Sequence, residues 1–235
     1  MSLAKELIKK AKVCGCDIVK TQLYDVDSLF PDKVIMAQGK NWYTEVRKTQ
    51  LSKEQAFELA SYCKKIKIEF MASAFDLERL GWLEEIGVKR HKVAYRMNQN
   101  KGYITAILET KKKILVSCQD YGIGVMTIGN PQLKLLYCVP HYPTNLSELK
   151  FSEISFDQIY NWNELAGEGL PVFDGFSDHT IGVEASMVAI SRGATIIEKH
   201  FTLNKNDKSG PDHICSAEPK ELERLVDFTR KVEEM

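Results

Sequence analysis

Short apolar segments alternate with helical patterns along almost the whole chain. The predicted strands are continuous apolar runs, as parallel strands are when helices cover both faces of a sheet. They are Ile18–Gln22, Ile68–Phe75, Arg90–Ala94, Lys113–Cys118, Leu133–Val139, Val172–Ser177 and Thr195–His200. Strands that alternate with helices in this way predict βαβ units and a parallel sheet.

Helical patterns occupy the intervals between these strands. Ser52, with a glutamine three residues later, forms a capping box that predicts a helix over Lys53–Lys65. Asp76 can cap a helix over Leu77–Ile86, which Gly87 can end. The other predicted helices are Leu3–Val13, Gly182–Arg192 and an amphipathic helix from Ser216 to about Glu234.

Seven such units predict a TIM-type (β/α)8 barrel, an α/β fold that forms one domain over residues 1–235. The chain opens on a helix, so this barrel is predicted to lack its first strand. A doubly wound open sheet is the alternative, although no Gly-x-Gly-x-x-Gly follows the first predicted strand. The longest irregular segment, Leu23–Leu51, follows that strand, which places it on the rim where such barrels carry their active sites.

Composition and charge exclude several classes of protein. The 235 residues carry 32 basic and 32 acidic side chains, so nothing favours electrostatic capture of nucleic acid or anionic lipid. No apolar run approaches the roughly 20 residues of a membrane helix, and the first residues do not resemble a signal peptide. None of the six cysteines forms a Cys-x-x-Cys pair. A chain this apolar needs no disulfides, so we predict a cytoplasmic protein.

Three polar motifs lie in the last quarter of the chain: Gly175–Thr180, Glu198–Thr202 and Gly210–His213. Within them, His179 and His200 lie at the ends of neighbouring predicted strands, and these ends meet at one rim. Two imidazoles there can hold a metal ion and leave positions open for substrate and water. A single histidine is more often structural, but the pair with Asp178 and Asp212 nearby favours a metal site. Weaker candidates are His141 and His213, and His91 is predicted to be structural.

Lysines and serines near other strand ends suggest an anion site. Lys20 and Gln22 share one face of the first strand, where a lysine can hold a phosphate or pair with a carboxylate. Lys92 lies inside an apolar run, which favours an anionic partner. Ser73 and Ser117 close two further strands, either as phosphate ligands or as helix caps.

Two predicted turns border the same rim. Tyr142 and Pro143 follow a strand and present an aromatic ring, either for stacking on a sugar or for packing. Gly210–His213 is a turn by composition, and its functional interpretation is a loop folded over the mouth of the barrel.

These motifs resemble the sialic acid synthase family, the phosphoenolpyruvate-dependent nonulosonate synthases that include spore-coat polysaccharide protein E. The matching segments are Gly15–Gln22, Phe70–Phe75, Gly175–Thr180, Glu198–Thr202 and Gly210–Asp212. The resemblance spans nearly the whole chain, and the C-terminal motifs in this order are specific.

The resemblance implies a barrel enzyme that condenses phosphoenolpyruvate with an N-acyl amino sugar such as N-acetylmannosamine. It implies that His179 and His200 bind a divalent metal, Mn²⁺ or Mg²⁺, which polarises the sugar aldehyde. It implies catalytic roles for Lys92 and Asp212, phosphoenolpyruvate contacts from Lys20, Ser73, Lys92, Ser117 and Ser177, and sugar contacts from Gln22, Tyr142 and Asp212. It also implies a homodimer, although the family's C-terminal antifreeze-like domain is predicted to be absent here.

Several positions depart from the family pattern. Tyr95 stands where the family has a phosphate-binding serine, and Met97 stands where it has an acid that handles a proton. Pro140 replaces an asparagine before the Tyr-Pro turn, and the Gly-rich stretch Asp120–Asn130 replaces a helix.

Three functions remain open on these residues. The first is a divergent synthase. The second is a catalytically impaired barrel that keeps phosphate, sugar and metal binding but lacks the proton-handling acid, because the thioether of Met97 cannot exchange protons. The third is an unrelated metal-dependent aldolase or isomerase barrel, which the C-terminal motifs disfavour.

Overall fold

The computed structural model describes residues 1–120, 130–156 and 170–235. Among these residues, seven parallel strands form one sheet whose order follows the chain without a reversal. The strands of this sheet are β1 (Ile18–Leu23), β4 (Glu69–Ala74), β5 (Arg90–Val93), β6 (Lys113–Cys118), β7 (Leu133–Tyr137), β8 (Gly175–Asp178) and β9 (Ile196–Lys199), while β2 (Met36–Ala37) and β3 (Lys40–Asn41) form a separate hairpin. A doubly wound sheet reverses its order at a switch point, so this order excludes the alternative fold.

Helices follow most of the strands. They are α1 (Ser2–Val13), α2 (Val26–Leu29), α3 (Tyr43–Lys48), α4 (Lys53–Ile66), α5 (Leu77–Ile86), α6 (Lys101–Glu109), α7 (Glu184–Ser191) and α8 (Pro219–Glu233). The predicted capping box at Ser52 and the cap at Asp76 are both confirmed. Gly87 ends α5 in the left-handed conformation, with φ 76°. None of the helices in the described part of the chain is long and apolar enough to cross a membrane.

The sheet is curled, so that its two outer strands approach each other. Lys20 Nζ on β1 lies 3.3 Å from Glu198 Oε1 on β9, although these strands are at opposite ends of the order. Below this pair, an apolar floor fills the inside of the curl, and it consists of Ile18, Met71, Leu115, Leu136 and Ile196. The described sheet is therefore a curled half-barrel. An eighth strand position between β1 and β9, as the (β/α)8 prediction requires, stays a prediction.

Three elements differ from their sequence predictions. The strand predicted over Val172–Ser177 lies at Gly175–Asp178, and Val172 forms an isolated β-bridge with Ser155 outside this strand. The segment Leu23–Leu51, predicted to be irregular, contains α2, the hairpin and α3. These short helices and strands have too few residues for a hydrophobic periodicity to be recognised in the sequence. The helix α6 is additional to the prediction, and residues 121–129 of the stretch Asp120–Asn130 lie outside the described residues.

Gly175 allows the backbones of β8 and β9 to approach closely. A Cβ atom at Gly175 would lie 2.1 Å from the Ile196 carbonyl oxygen. We expect Gly175→Ala to lower the free energy of unfolding by about 3 kcal/mol, because the two strands must separate. Denaturant titration measures this loss. In the control Gly81→Ala, the added Cβ meets nothing within 4 Å on α5, so a gain of up to about 1 kcal/mol is expected. Equal stabilities for the two variants would contradict the close approach.

His91 on β5 makes folding sensitive to acid. Its side chain is fully buried, and its Nε2 lies 2.8 Å from Glu84 Oε1. Burial lowers the pKa of His91, although Glu84 opposes this shift. As the pH falls below about 6.5, His91 takes up a proton in the unfolded chain but stays neutral in the folded chain. The free energy of unfolding therefore falls with pH.

We therefore expect His91→Leu to lose less stability than the wild type between pH 7 and 5. The difference in slope is at most about 1.4 kcal/mol per pH unit, the value for one titrating group. Urea unfolding at several pH values measures it. Glu84 keeps Lys112 as an ion-pair partner 2.7 Å away, so the variant leaves no carboxylate alone. Parallel pH profiles would show that His91 does not contribute.

Candidate active site

A polar layer lies inside the curl, directly above the apolar floor. We define it as Lys20 from β1, Ser73 from β4, Lys92 from β5, Ser117 from β6, Ser177 from β8 and Glu198 from β9. Lys20, Ser117 and Glu198 each lie two residues beyond a residue of the floor, so strand alternation turns them to the same inner face. The predicted lysines and serines are therefore brought together.

Glu198 is the centre of the polar layer. Its Oε1 lies 3.3 Å from Lys20 Nζ, and its Oε2 lies 3.3 Å from Lys92 Nζ. Oε2 also accepts hydrogen bonds from Ser177 Oγ at 2.6 Å and from Ser117 Oγ at 3.5 Å. Burial opposes ionisation, but Lys92 and Lys20 hold the pKa of the Glu198 carboxyl well below its usual range. The layer thus contains two ammonium groups and one carboxylate.

Sequence reasoning missed this role of Glu198, which it treated only as the start of a motif. The signal was available, because Glu198 is a charged residue inside an apolar strand run. The same argument led to an anionic partner for Lys92, whose side chain is 2% exposed. The structure shows that the partner is an internal carboxylate. Lys92 Nζ also donates to Val93 O at 2.9 Å and to Ser117 Oγ at 2.7 Å.

Ser73 is a hydroxyl group without a protein partner in the polar layer. It pairs in register with Lys92, and its buried Oγ forms no hydrogen bond within the described ranges. A buried polar atom without a partner is costly, and a bound anion would satisfy it. Gln22, the register partner of Ser73 on β1, is exposed towards the mouth.

The two predicted metal ligands lie close together at the mouth. His179 follows β8 and His200 follows β9, and their ring centroids are 5.5 Å apart. His179 Nδ1 donates to Val139 O at 3.0 Å, which leaves Nε2 unprotonated and free to bind an ion. His200 Nδ1 lies 3.9 Å from Asp212 Oδ2.

Both imidazoles are neutral near pH 7. Burial, with His200 as a second cause, lowers the pKa of His179 to about 4. Burial, with Lys20 as a second cause, lowers the pKa of His200 to about 4. A metal ion binds the neutral form of imidazole. No group of three or more His, Cys, Asp or Glu side chains gathers to hold an ion in the described part of the chain. A metal ion here would rest on two ring nitrogens and on oxygens from water or substrate.

Tyr142 covers the two histidine rings. Its ring centroid lies 4.0 Å from that of His179 and 5.7 Å from that of His200. The structure therefore shows the packing role, and the stacking of a sugar on Tyr142 stays a prediction. The segment Gly210–His213, predicted as a turn, leads into a 3-10 helix over Pro211–Cys215. Pro211 O accepts a hydrogen bond from Gln38 Nε2 at 2.8 Å, which joins this helix to the hairpin segment. Its position over the mouth stays a prediction.

Other residues named from the sequence have structural partners. Asp178 is buried and accepts hydrogen bonds from Ser186 Oγ at 2.6 Å and from Thr180 N at 2.7 Å, and its ion-pair partner is Lys199 at 3.1 Å. Hydroxyl groups contact both ring nitrogens of His213. His141 is exposed and pairs with a glutamate. These three side chains are engaged elsewhere and do not join the histidine pair.

Comparison with known proteins assigns the chain to a family. The family model named NeuB matches residues 7–235. The chain belongs to the NeuB family. An N,N'-diacetyllegionaminic acid synthase of Legionella pneumophila subsp. pneumophila is 32% identical over 99% of this chain and 68% of its own length. An N-acetylneuraminate-9-phosphate synthase of Drosophila melanogaster is 31% identical over 95% of this chain and 62% of its own length.

A solved structure agrees with the NeuB assignment. The crystal structure of an N-acetylneuraminic acid (sialic acid) synthetase from Leptospira borgpetersenii serovar Hardjo-bovis, in complex with citrate, matches with a TM-score of 0.81 and 28% identity. The match covers 99% of this chain and 79% of that chain. NeuB membership confirms the resemblance seen in the sequence and removes the unrelated aldolase or isomerase barrel. This NeuB chain spans about two thirds of the length of the two curated relatives.

Proposed function

We propose that this chain condenses phosphoenolpyruvate with an N-acyl amino sugar, giving a sialic-acid-like nonulosonate and phosphate. The observation that carries the proposal is the position of the polar layer, with the buried Lys92 and the partly exposed Lys20, directly beside His179 and His200. Relatives named as synthases of several nonulosonic acids support the reaction class.

The polar layer is the proposed site of phosphoenolpyruvate. Lys20 and Lys92 would supply positive charge to its phosphate, and Ser73, Ser117 and Ser177 would supply hydroxyl donors. Of the three serines, Ser73 is the one best suited to donate to a bound phosphate, because its buried Oγ forms no hydrogen bond within the described ranges.

His179 and His200 are the proposed ligands of a divalent ion, Mn²⁺ or Mg²⁺. They fit this role because both rings are neutral near pH 7 and because His179 has a free Nε2. When bound, the ion would act as a Lewis acid on the sugar aldehyde. Gln22, Tyr142 and Asp212 border the same mouth and would face the sugar.

The proposed reaction balances without a redox step. C3 of phosphoenolpyruvate forms a bond to the aldehyde carbon, and water adds to C2. The aldehyde oxygen takes up the proton that the water releases. Cleavage of the bond between C2 and the phosphate oxygen then gives a ketone and inorganic phosphate, and the phosphate takes up the proton of the C2 hydroxyl. The chain would orient the two substrates so that C3 faces the aldehyde.

A catalytically impaired barrel is the second candidate function, and Met97 favours it. This residue replaces an acid of the family pattern, and its side chain is buried in the core. A thioether cannot transfer a proton. Such a barrel would bind phosphoenolpyruvate and metal without turning over.

Phosphate release distinguishes the two candidates. We expect release from phosphoenolpyruvate only when a divalent metal and an N-acyl amino sugar are both present, and a panel of such sugars identifies the substrate. A sample without metal and a sample without sugar are the controls. Binding of phosphoenolpyruvate without release for any sugar would favour the impaired barrel. The homodimer and the cytoplasmic location stay predictions.

A further inference from the structure

The carboxylate of Glu198 lies where an incoming anion would find its donors. Both ammonium groups of the polar layer approach it at 3.3 Å. The hydroxyl groups of Ser117 and Ser177 donate to its Oε2. Ser73 is the remaining hydroxyl of the layer, and its Oγ has no partner within the described ranges. The protein therefore directs four donor groups of this layer towards one of its own side chains.

A phosphate group and the Glu198 carboxylate compete for these donors. Two negative charges sharing these donors repel each other strongly, because the other members of the layer, Lys92 and the three serines, are buried and the surroundings screen charge poorly. Either the carboxylate moves away when the anion binds, or the anion binds against its repulsion. Movement is open to Glu198, since its side chain has several rotatable bonds and is 19% exposed. In both cases the carboxylate reduces the affinity for the anion.

We propose that Glu198 is an internal counter-anion that occupies the substrate's phosphate position and limits affinity for phosphate-bearing ligands. Before substrate enters, it gives an ion-pair partner to the buried Lys92 and to the partly exposed Lys20. A buried lysine left without a partner would be costly. This inference rests on the proposed function for the identity of the anion as a substrate phosphate. It adds that the free chain already holds a carboxylate at that position.

The test uses inorganic phosphate as the probe, without metal or sugar. Isothermal titration calorimetry at fixed pH and ionic strength compares the full chain with Glu198→Gln. We expect Glu198→Gln to bind phosphate at least about tenfold more tightly, because one negative charge has left the layer while both lysines remain. Glu198→Asp keeps the charge, so its affinity should stay within about threefold of the wild type. The control Glu153→Gln removes an exposed carboxylate and should change nothing.

Equal or weaker phosphate binding by Glu198→Gln would overturn the inference. If this variant is too unstable for calorimetry, thermal unfolding makes the same comparison. Phosphate must then raise the Tm of Glu198→Gln by more than it raises that of the wild type, and equal shifts would overturn the inference. If no sugar supports phosphate release from phosphoenolpyruvate, the proposed synthase activity is wrong. Tighter phosphate binding by Glu198→Gln would still be observed in that case, so the failure of one proposal can be distinguished from the failure of the other.

Discussion

The variant Lys92→Met is expected to bind phosphoenolpyruvate at least about 30-fold more weakly than the wild type. The lost ammonium group is a buried donor to an anion, and removing such a partner costs about 2 kcal/mol or more, which corresponds to this change in affinity. Methionine keeps the length and much of the volume of the lysine stem. The affinity is measured by calorimetry with the full chain.

Two further variants separate lost binding from lost folding. Lys89→Met removes a lysine whose side chain is 77% exposed just before β5, and it should bind as the wild type does. In Lys92→Met/Glu198→Gln the polar layer regains the charge excess of the wild type, so stability and part of the affinity should return. Unchanged binding by Lys92→Met would show that the phosphate group does not use the polar layer.

The variant Asp178→Asn is expected to lower the free energy of unfolding by about 3–5 kcal/mol. This cost is typical when one partner of a buried ion pair is removed. Asp178 is fully buried, and its partner Lys199 is 2% exposed, so the variant would leave this lysine without its counter-ion. The carboxylate also accepts hydrogen bonds from Ser186 and Thr180, which tie the end of β8 to α7. Denaturant titration gives the change.

Two comparisons isolate the buried charge. Glu153→Gln makes the same carboxylate-to-amide change in a pair with Lys150, in which both side chains are more than half exposed, and it should shift stability by less than about 0.5 kcal/mol. Asp178→Asn/Lys199→Met removes both charges and should recover most of the loss. If Asp178→Asn changed the free energy of unfolding as little as Glu153→Gln does, the buried ion pair would not stabilise the end of β8.

Local signals explain why the sheet and the histidine pair could be predicted. The strand Lys113–Cys118 was predicted within its observed bounds, because its run is apolar on both faces and ends at turn residues. The helix Leu77–Ile86 was bounded by a cap and a glycine, both of which the structure shows. His179 and His200 follow consecutive strands, and parallel order alone brings such positions to one rim.

The other features depend on contacts between distant residues. The first residue of β8 is a glycine, Gly175, because the backbone of Ile196 approaches it closely. No local sequence pattern indicates that approach. Glu198 meets Lys20 only because the sheet curls, so strand alternation alone could not identify its partner. The hairpin in Leu23–Leu51 has two-residue strands, held by contacts such as the hydrogen bond from Trp42 Nε1 to Ala37 O at 2.9 Å.

The central claim is that His179 and His200 share one divalent ion beside the polar layer. The measurement that tests it most directly is a titration with Mn²⁺ followed by electron paramagnetic resonance, in the wild type, His200→Ala and His141→Ala. We expect the wild type and His141→Ala to bind one ion with equal affinity, because His141 is exposed and pairs elsewhere. His200→Ala should bind at least about tenfold more weakly, because one of two protein ligands is gone. Manganese affinity in His200→Ala equal to that of the wild type would contradict the account.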